Sequence, residues 1–111
     1  MIEKIVYDYL KANMAVDVFT ELPAAFYSPC VVLEKTSSGL ENYIKTATIA
    51  VQSYGNSLYE AASLNEDVKA AMLNIITLNS IASCKLNSDY NYTDTTTKRY
   101  RYQAVFNITY Y

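Results

Sequence analysis

Residues 46–72, TATIAVQSYGNSLYEAASLNEDVKAAM, decide how this chain folds. The stretch begins with apolar residues at alternate positions, which is typical of a half-buried β-strand. It then turns over residues 53–57 and continues as an alanine-rich helical pattern. A strand that leads through a glycine-containing turn into a helix often holds a phosphate or a catalytic nucleophile. The turn is therefore either a catalytic element or a structural corner.

The residue types in the turn favour the structural interpretation. A phosphate-binding loop needs several glycines and a lysine, whereas residues 53–57 hold one glycine and no lysine. A nucleophile elbow needs a histidine partner, and the sequence contains no histidine. We predict that Gly55 relieves a positive φ and that Ser57 caps the helix. Glu60 completes a capping box, in which its carboxylate accepts from the Ser57 amide.

The absence of histidine also narrows the chemistry of the whole chain. It excludes Ser-His and Cys-His catalytic couples, imidazole general bases and histidine-ligated metals. The carboxylates are scattered at spacings that require no catalytic pair. Cys30 and Cys84 are the only cysteines, and we predict that both are buried free thiols. We therefore expect a protein that is not an enzyme and has no metal or cofactor.

Length and charge place the chain among small cytoplasmic domains. Its 111 residues suffice for one compact domain, so we predict a single domain over residues 1–111. The net charge of −2 gives no overall attraction to nucleic acid or to anionic membranes. No apolar run approaches the roughly 18 residues that span a bilayer. The N-terminal MIEKIVYDYLKAN lacks the apolar region of a signal peptide, so we expect no export.

Hydrophobic periodicity predicts two helices and five strands. The helices are residues 2–13 and 57–76, and the polar patch at 65–67 could interrupt the second. The strands are residues 16–22, 30–35, 43–53, 81–92 and 99–111, with turns at 36–42 around Gly39 and at 93–98. This order, α-β-β-β-α-β-β, favours an α+β fold with a mixed, largely antiparallel sheet of about five strands. The two helices are expected to cover one sheet face, which leaves the polar face to water or a partner.

The last two strands are predicted to pair as an antiparallel hairpin. Strict alternation along 81–92 places Tyr90 and Tyr92 on the side of Cys84, with Asp89 on the other side. Residues 98–102, KRYRY, interleave basic and aromatic side chains as nucleic-acid-binding modules do. Alternation explains this pattern without a nucleic acid, because it separates the tyrosines from the arginines. We expect no specific nucleic-acid binding.

Twelve tyrosines and no tryptophan are unusual in so short a chain. Tyrosine combines a large apolar ring with a polar hydroxyl, which suits half-buried sheets and protein interfaces. Ordinary β-propensity also accounts for tyrosines in strands. The excess favours a protein whose surface is partly covered by another protein.

Three segments of the chain resemble small proteins of long-tailed bacteriophages and prophages. They are MIEKIVYDYL at the N-terminus, TATIAVQSYGNSLYEAASLNEDVKAAML at 46–73 and KLNSDYNYTDTTTKRYRYQAVFNITYY at 85–111. The likeness is to the tail-terminator or head–tail joining family. The shared pattern is a strand that passes through a Ser or Tyr turn into a helix with an Ala pair and a later Val. The final strand ends in aromatic residues.

The resemblance implies a structural protein of the virion tail or neck, assembled in the cytoplasm of the bacterial host. Such proteins form a ring, typically a homo-hexamer, on the head-proximal end of the completed tail tube. The ring stops tube growth and presents a surface to the head connector. The implied partners are further copies of the chain, the tail-tube protein and the head–tail connector protein. The alternatives are another neck or head-completion (stopper) protein, and a small nucleic-acid-binding protein or enzyme of a mobile element.

The ring contacts are assigned to the polar sheet face and the sheet edges. The loops at 22–29, 36–42 and 89–98 are then expected to engage the tube or the connector. The candidate interaction residues are Phe26, Tyr27, Tyr92, Lys98, Arg99, Arg101 and Gln103. Among these, Arg99, Arg101 and Gln103 are the charged or polar contacts expected between ring subunits.

Overall fold

The computed structural model of the chain describes residues 1–23, 29–97 and 99–111. In chain order its elements are α1 (Ile2–Asn13), β1 (Asp17–Phe19), β2 (Cys30–Glu41), β3 (Ile44–Gly55), α2 (Leu58–Leu73), a 3₁₀ turn (Ile75–Thr77), β4 (Ile81–Asn91) and β5 (Tyr100–Tyr110). The predicted α+β class and the order α-β-β-β-α-β-β are confirmed.

The strands of the described ranges form one five-stranded sheet in the order β1-β2-β3-β5-β4. β1 is parallel to β2, and the other neighbours are antiparallel, so the sheet is mixed as predicted. β3 lies in the middle and pairs with β2 on one side and β5 on the other. The predicted hairpin of the last two strands is confirmed. α2 carries the chain from β3 over the sheet to the far edge strand, β4.

Both helices pack on the same face of the sheet and share one hydrophobic core with it. The helices contribute Ile2, Val6 and Leu10 from α1 and Leu64, Val68 and Met72 from α2. The sheet contributes alternate residues, including Val31, Leu33, Ala47, Ile49, Val51, Ala104, Phe106 and Ile108. The four-residue spacing within each helix puts its apolar residues on one stripe, which explains why each helix buries a single side. Burying one such side chain contributes about 1.5–3 kcal/mol.

The first helix has the predicted bounds, whereas the second differs at both ends. α2 begins at Leu58 and ends at Leu73, and Ile76 belongs to the 3₁₀ turn that follows. The polar patch at 65–67 does not interrupt the helix. Asn65 is only 1% exposed, and its side-chain amide donates to Asp89 Oδ2 at 3.0 Å. Asp89 on β4 thus satisfies the side-chain nitrogen of Asn65, whereas the buried Oδ1 of the same amide has no hydrogen-bond partner among the described residues.

The predicted turn at 36–42 is wrong, since β2 continues to Glu41. The hairpin turns at Asn42 and Tyr43, whose φ angles are 52° and 65°. Two central residues with positive φ are characteristic of a two-residue type I′ turn. The serines and the glycine of 36–42 resemble a turn locally, but each lies opposite a β3 residue in the ladder. Pairing with the neighbouring strand therefore overrides the local signal.

The bounds of all five predicted strands change, and the last strand, predicted at 99–111, runs from Tyr100 to Tyr110. The strand predicted at 16–22 is reduced to Asp17–Phe19, and the strand predicted at 30–35 extends to Glu41. The strand predicted at 43–53 runs from Ile44 to Gly55. The predicted strand 81–92 ends one residue earlier, at Asn91.

A β-bulge in β4 changes which side chains face the helices. Leu86 and Ser88 lie opposite consecutive residues of β5, so Asn87 is one residue too many for the ladder. Side chains alternate between the two faces along a strand, so one extra residue inverts the assignment of everything after it.

Beyond Leu86, the inversion reverses the faces that were predicted for the side chains of β4. Asp89 pairs with Ala104 of the core face and lies on the helix side, together with Cys84. Tyr90 pairs with Gln103 on the opposite face, and the Tyr92 amide donates to the Arg101 carbonyl on the same ladder. The prediction that Tyr90 and Tyr92 share the face of Cys84 is therefore wrong. It assumed an uninterrupted alternation that the bulge breaks.

Glycine is required at position 55 for a different reason from the one predicted. Neither of the two glycines has a positive φ. A Cβ atom at Gly55 would lie 2.5 Å from the backbone nitrogen of Ala61 and 3.0 Å from its Cα. Residue 55 must therefore lack a side chain, because the first turn of α2 lies directly against the end of β3.

The cap that starts α2 is largely as predicted. Ser57 Oγ accepts from the Glu60 amide at 3.1 Å, which confirms Ser57 as the N-cap. The Glu60 carboxylate accepts from the amide of Asn56 at 2.9 Å rather than from the predicted Ser57 amide. The reciprocal bond thus closes one residue earlier, still within the corner between β3 and α2.

Replacing Gly55 with alanine should destabilise the fold. The added methyl group meets the α2 backbone, which cannot move aside as a flexible side chain can, so we expect a loss of about 1–3 kcal/mol of unfolding free energy. Urea denaturation followed by circular dichroism measures this loss. Gly39→Ala is the matched control, because its methyl group would meet only the exposed Thr46 hydroxyl, at 3.0 Å. The control should change stability by less than about 0.5 kcal/mol, and equal effects of the two variants would contradict the close-approach argument.

Candidate interaction surface

The sheet face turned away from the helices is called the open face. Its side chains include Glu34 of β2, Thr48, Gln52 and Tyr54 of β3, Arg101, Gln103 and Asn107 of β5, and Lys85, Ser88 and Tyr90 of β4. Most of these side chains are polar and uncharged. The predicted polar face opposite the helices is therefore present, and three of the candidate residues lie on or beside it.

Arg101 is held between two tyrosines. Its Nε donates to the Tyr92 carbonyl oxygen at 2.6 Å, and its Nη1 donates to the Tyr54 hydroxyl at 3.0 Å. The guanidinium carbon lies 4.4 Å from the centre of the Tyr92 ring and 5.8 Å from that of Tyr54. Cation–π contact and a directed hydrogen bond act together at this side chain. The charge of Arg101 is thus engaged within the protomer, where it ties the end of the β4–β5 hairpin to β3.

A row of side-chain hydrogen bonds continues from Tyr54 across the open face. The Tyr54 hydroxyl donates to Gln52 Oε1 at 3.2 Å, and Gln52 Nε2 donates to Gln103 Oε1 at 3.0 Å. Gln103 Nε2 then donates to the Tyr90 hydroxyl at 2.6 Å. The Tyr90 ring meets the Tyr92 ring edge to face, with 5.9 Å between the ring centres. These bonds, called the open-face network, connect three strands above their backbone ladder.

The structure brings together some of the predicted interaction residues and leaves others apart. Gln103 belongs to the open-face network. Arg101 donates to Tyr54 at one end of this network and to the Tyr92 carbonyl oxygen. Arg99 lies at the outer end of the hairpin, in an isolated bridge with Asp94. The predicted contacts Phe26, Tyr27 and Lys98 lie outside the described residues, as does most of the predicted loop 22–29.

Sequence reasoning missed Tyr54, Gln52 and Tyr90 as members of this surface. Tyr54 lies beyond the predicted end of its strand, so its face was not assigned. Gln52 lies on the polar side of its strand, but its partner depends on the register with β5. The face of Tyr90 was predicted wrongly because of the bulge in β4. Cross-strand register would have revealed all three, and that information is not local in the sequence.

Both cysteines are buried free thiols, as predicted. Cys30 lies in a small second cluster with Val32 and Tyr54, while Cys84 belongs to the main core. Burial raises the pKa of each thiol to about 11, and the Asp17 carboxylate adds to the effect at Cys30. Such thiols are poor nucleophiles because only the thiolate reacts readily.

A polar cluster joins α2 to the edge strand β4. Lys69 Nζ lies 3.0 Å from both Asp89 Oδ2 and Glu66 Oε1, and the Asn65 amide donates to the same Asp89 oxygen. Its hydrogen bonds to Asp89 and Glu66 raise the pKa of Lys69. The lysine occupies the position between the carboxylates, so the cluster is an internal ion pair. The described ranges hold no group of three or more side chains arranged to bind a metal.

The end of the β2–β3 hairpin exposes large apolar side chains. The last β3–β5 pair is Lys45 with Tyr110, so residues 40–44, called the hairpin end, extend beyond this pairing. Leu40 is 69% exposed, Tyr43 is 98% exposed and Ile44 is 52% exposed. Leu40 and Ile44 project from opposite faces of the hairpin, because they belong to successive pairs of the β2–β3 ladder. The exposed apolar side chains therefore surround the tip rather than form one flat patch. Leu40 lies in the segment 36–42 that was expected to contact a partner, whereas Tyr43 and Ile44 were predicted only as the start of a strand.

A groove runs between α1 and β1 on the opposite edge of the sheet from β4. Two neighbouring cavities of about 430 and 400 Å³ share Tyr7, Val18 and Phe19 as lining residues. Lys4 and Glu21 line the first cavity as well. Apolar and charged residues both line this α1/β1 groove, and the Phe19 side chain packs on the other sheet face, with Val32 and Tyr54.

No protein-family model matches the chain, and a search of curated proteins finds no match. Across the part of the chain that the structure describes, no helix is long and apolar enough to cross a membrane.

Replacing Arg101 with lysine should destabilise the protein although the charge is kept. Lysine lacks the planar fork that reaches Tyr92 and Tyr54 together, so we expect a loss of about 1–2 kcal/mol in urea denaturation. Lys85→Arg, on the same face and without a described side-chain contact, is the control and should stay within about 0.5 kcal/mol. If R101K is as stable as the unmodified protein, the contacts of Arg101 with Tyr92 and Tyr54 contribute nothing to stability in solution.

The two thiols should resist modification in the folded protein. With a pKa of about 11, less than about 1% of each thiol is ionised at pH 8, and burial excludes the reagent as well. A colorimetric disulfide reagent at pH 8 is therefore expected to label neither cysteine until urea unfolds the chain. Rapid labelling of one thiol at zero urea would place that cysteine at the surface.

Proposed function

We propose that the protein is a virion assembly protein of a long-tailed bacteriophage or prophage. In this proposal it closes the head-proximal end of the tail tube as a ring of identical subunits and joins the tail to the head connector. The observation that carries the proposal is the hairpin end, where Leu40, Tyr43 and Ile44 are exposed on a two-stranded support. The resemblance of three sequence segments to tail-terminator proteins indicates the kind of assembly.

Two different free sheet edges support a ring. Among the described strands β4 pairs on one side only, and β2 has no outer neighbour from Leu33 to Glu41. Unlike surfaces on opposite sides of a subunit favour head-to-tail contacts, which close into a ring when the rotation between subunits permits.

The same edges also limit uncontrolled growth. β2 carries an irregularity between Lys35 and Ser37, and β4 carries one between Leu86 and Ser88. Bulges in edge strands hinder the indefinite addition of further strands. An edge that accepts one defined neighbour and rejects further strands suits a protein that stops the growth of a tube.

The role predicted for Arg101 and Gln103 changes in kind within this proposal. Their polar groups bond to Tyr54, Tyr90, Tyr92 and Gln52 of the same chain. We therefore treat them as positioning residues that keep the open face rigid, so that a partner meets a preformed surface. A rigid surface binds more tightly because less conformational entropy is lost on association.

The nucleic-acid alternative receives little support from this surface. The net charge is −2, and Arg101 is occupied inside the protomer. Binding to a phosphate backbone requires several accessible cations. Most side chains of the described open face instead present hydroxyl and amide groups, with Lys85 and Glu34 as charges of opposite sign.

The mass of the purified protein should increase on contact with its tail-tube protein. Multi-angle light scattering on a sizing column, with the chain alone and with tube protein, is expected to give a species of roughly six copies, free or on the tube end. Tubes assembled with the chain present should also be shorter than tubes assembled without it. A monomer that ignores the tube but binds the connector would favour the stopper alternative. Tight DNA binding that survives added salt would favour the nucleic-acid alternative.

A further inference from the structure

We propose that residues 87–92, called the outer β4 segment, have two registers against β5, and that the ion pair between Lys69 and Asp89 selects the present one. In this register the bulge in β4 turns Asp89 toward α2. It also leaves Tyr90 and Tyr92 in contact with the open-face side chains of β5. The ion pair on the helix side therefore sets the arrangement of the opposite face of the sheet. This device belongs to the fold of the single chain and does not depend on the proposed function.

The sequence of the outer β4 segment also fits a ladder without the bulge. In that ladder Ser88 would lie opposite Ala104, and Asp89 would lie opposite Gln103. Asp89 would then face away from the helices, whereas both tyrosines of the segment would face them. Apolar side chains toward the core and polar side chains toward water are the ordinary pattern of a strand with one buried face. The segment thus carries the pattern of a second register.

The present register is costly for several side chains. Tyr90 is 41% exposed and Tyr92 is 43% exposed, although a tyrosine ring gains from burial. The Asp89 side chain is only 28% exposed, although a carboxylate is best solvated by water. The Oδ1 atom of Asn65, whose amide nitrogen donates to Asp89, is buried without a hydrogen-bond partner among the described residues. The burial preferences of these side chains therefore oppose the register that the structure adopts.

The bonds to Asp89 offset these costs. Lys69 Nζ lies 3.0 Å from Asp89 Oδ2, and Asn65 Nδ2 donates to the same oxygen at 3.0 Å. The core holds α2 on the sheet, so these partners reach Asp89 only when it faces the helices. On the open face the tyrosines contribute a neutral hydrogen bond and a cation–π contact, which are weaker. Lys69 and Asp89 are mostly buried, so dissolved salt screens their pair weakly.

The position of β4 at the edge of the sheet keeps the change local. Among the described strands β4 pairs with β5 alone, so only one ladder has to shift. The connection from β4 to β5 takes up the slip of one residue. Two discrete arrangements of one segment, separated by a few interactions, are what a bistable element requires. Loss of the ion pair on one face would therefore rebuild the other face.

The first test removes the charge that holds Asp89. Lys69→Met keeps a long side chain on α2 but leaves the carboxylate without its cation, so the regular ladder should become the major one. Backbone nuclear Overhauser effects across the β4–β5 ladder report the register. The contact of Asp89 with Ala104 should be lost, and a contact of Ser88 with Ala104 should replace it. Retention of the present contacts in folded K69M would overturn the inference.

Glu66→Gln is the matched control. Glu66 Oε1 lies 3.0 Å from the same Lys69 nitrogen, but the Glu66 side chain is 70% exposed and belongs to α2. It takes no part in holding β4, so E66Q should keep the present register. A shift in E66Q as large as that in K69M would contradict the selection of the register by the pair of Lys69 and Asp89.

Deletion of Asn87 separates the register from stability. Without the extra residue the ladder is regular, while Asp89 and the two tyrosines keep their present faces. The deletion combined with Lys69→Met should therefore retain the contact of Asp89 with Ala104, even where the protein is less stable. A shifted register in this combined variant would contradict the role given to the bulge.

The unmodified protein provides a measurement that needs no variant to fold. The regular register should be present as a minor state, so relaxation-dispersion spectra should show exchange at the outer β4 segment and at the β5 residues opposite it. Deletion of Asn87 should remove this exchange. If K69M does not fold, the absence of exchange from this segment is by itself sufficient to overturn the inference.

Discussion

The fold depends on the close approach between the end of β3 and the first turn of α2. At Gly55 the two backbones come so near that a single methyl group would overlap the Ala61 amide. Ser57 and Glu60 close the corner with hydrogen bonds on either side of it. This contact sets the line along which α2 crosses the sheet, and therefore where Leu64, Val68 and Met72 meet the sheet. It also delivers the chain to the far edge, where β4 completes the surface opposite the helices.

Local pattern was sufficient wherever a residue's environment depended on its own element. The stripe of α1 predicted both ends of that helix, and the alternation around Ile49 predicted the buried side of the central strand. Prediction failed where a neighbouring strand decides the outcome. The polar run at 36–42 is extended because it pairs with β3, and the bulge after Leu86 exists only relative to β5. Gly55 belongs to the same class, since its requirement comes from a helix that packs against it.

The residues of the candidate surface also fall into those that local pattern predicted and those that depend on a neighbouring strand. Arg101 and Gln103 were assigned to the polar face, where the structure places them, whereas Tyr92 was assigned to the face of Cys84 and instead lies beside Arg101. What the sequence concealed is that Tyr54 satisfies the arginine from another strand, which changes its expected role from binding a partner to holding the surface in place. The hairpin end was concealed for a different reason. Asn-Tyr is an uncommon pair for a type I′ turn, because tyrosine rarely adopts a positive φ.

The composition of the open-face network has a consequence for the conditions that the surface tolerates. Among the described residues, the network consists of tyrosine hydroxyls, glutamine amides and the Arg101 guanidinium group, with no carboxylate, amine or imidazole in the bonds that join them. Its partners are neutral, so dissolved salt has no opposing charge within it to screen. The geometry of the network is therefore expected to change little with ionic strength. A partner that recognises this network would therefore meet the same arrangement in dilute and in concentrated salt solution.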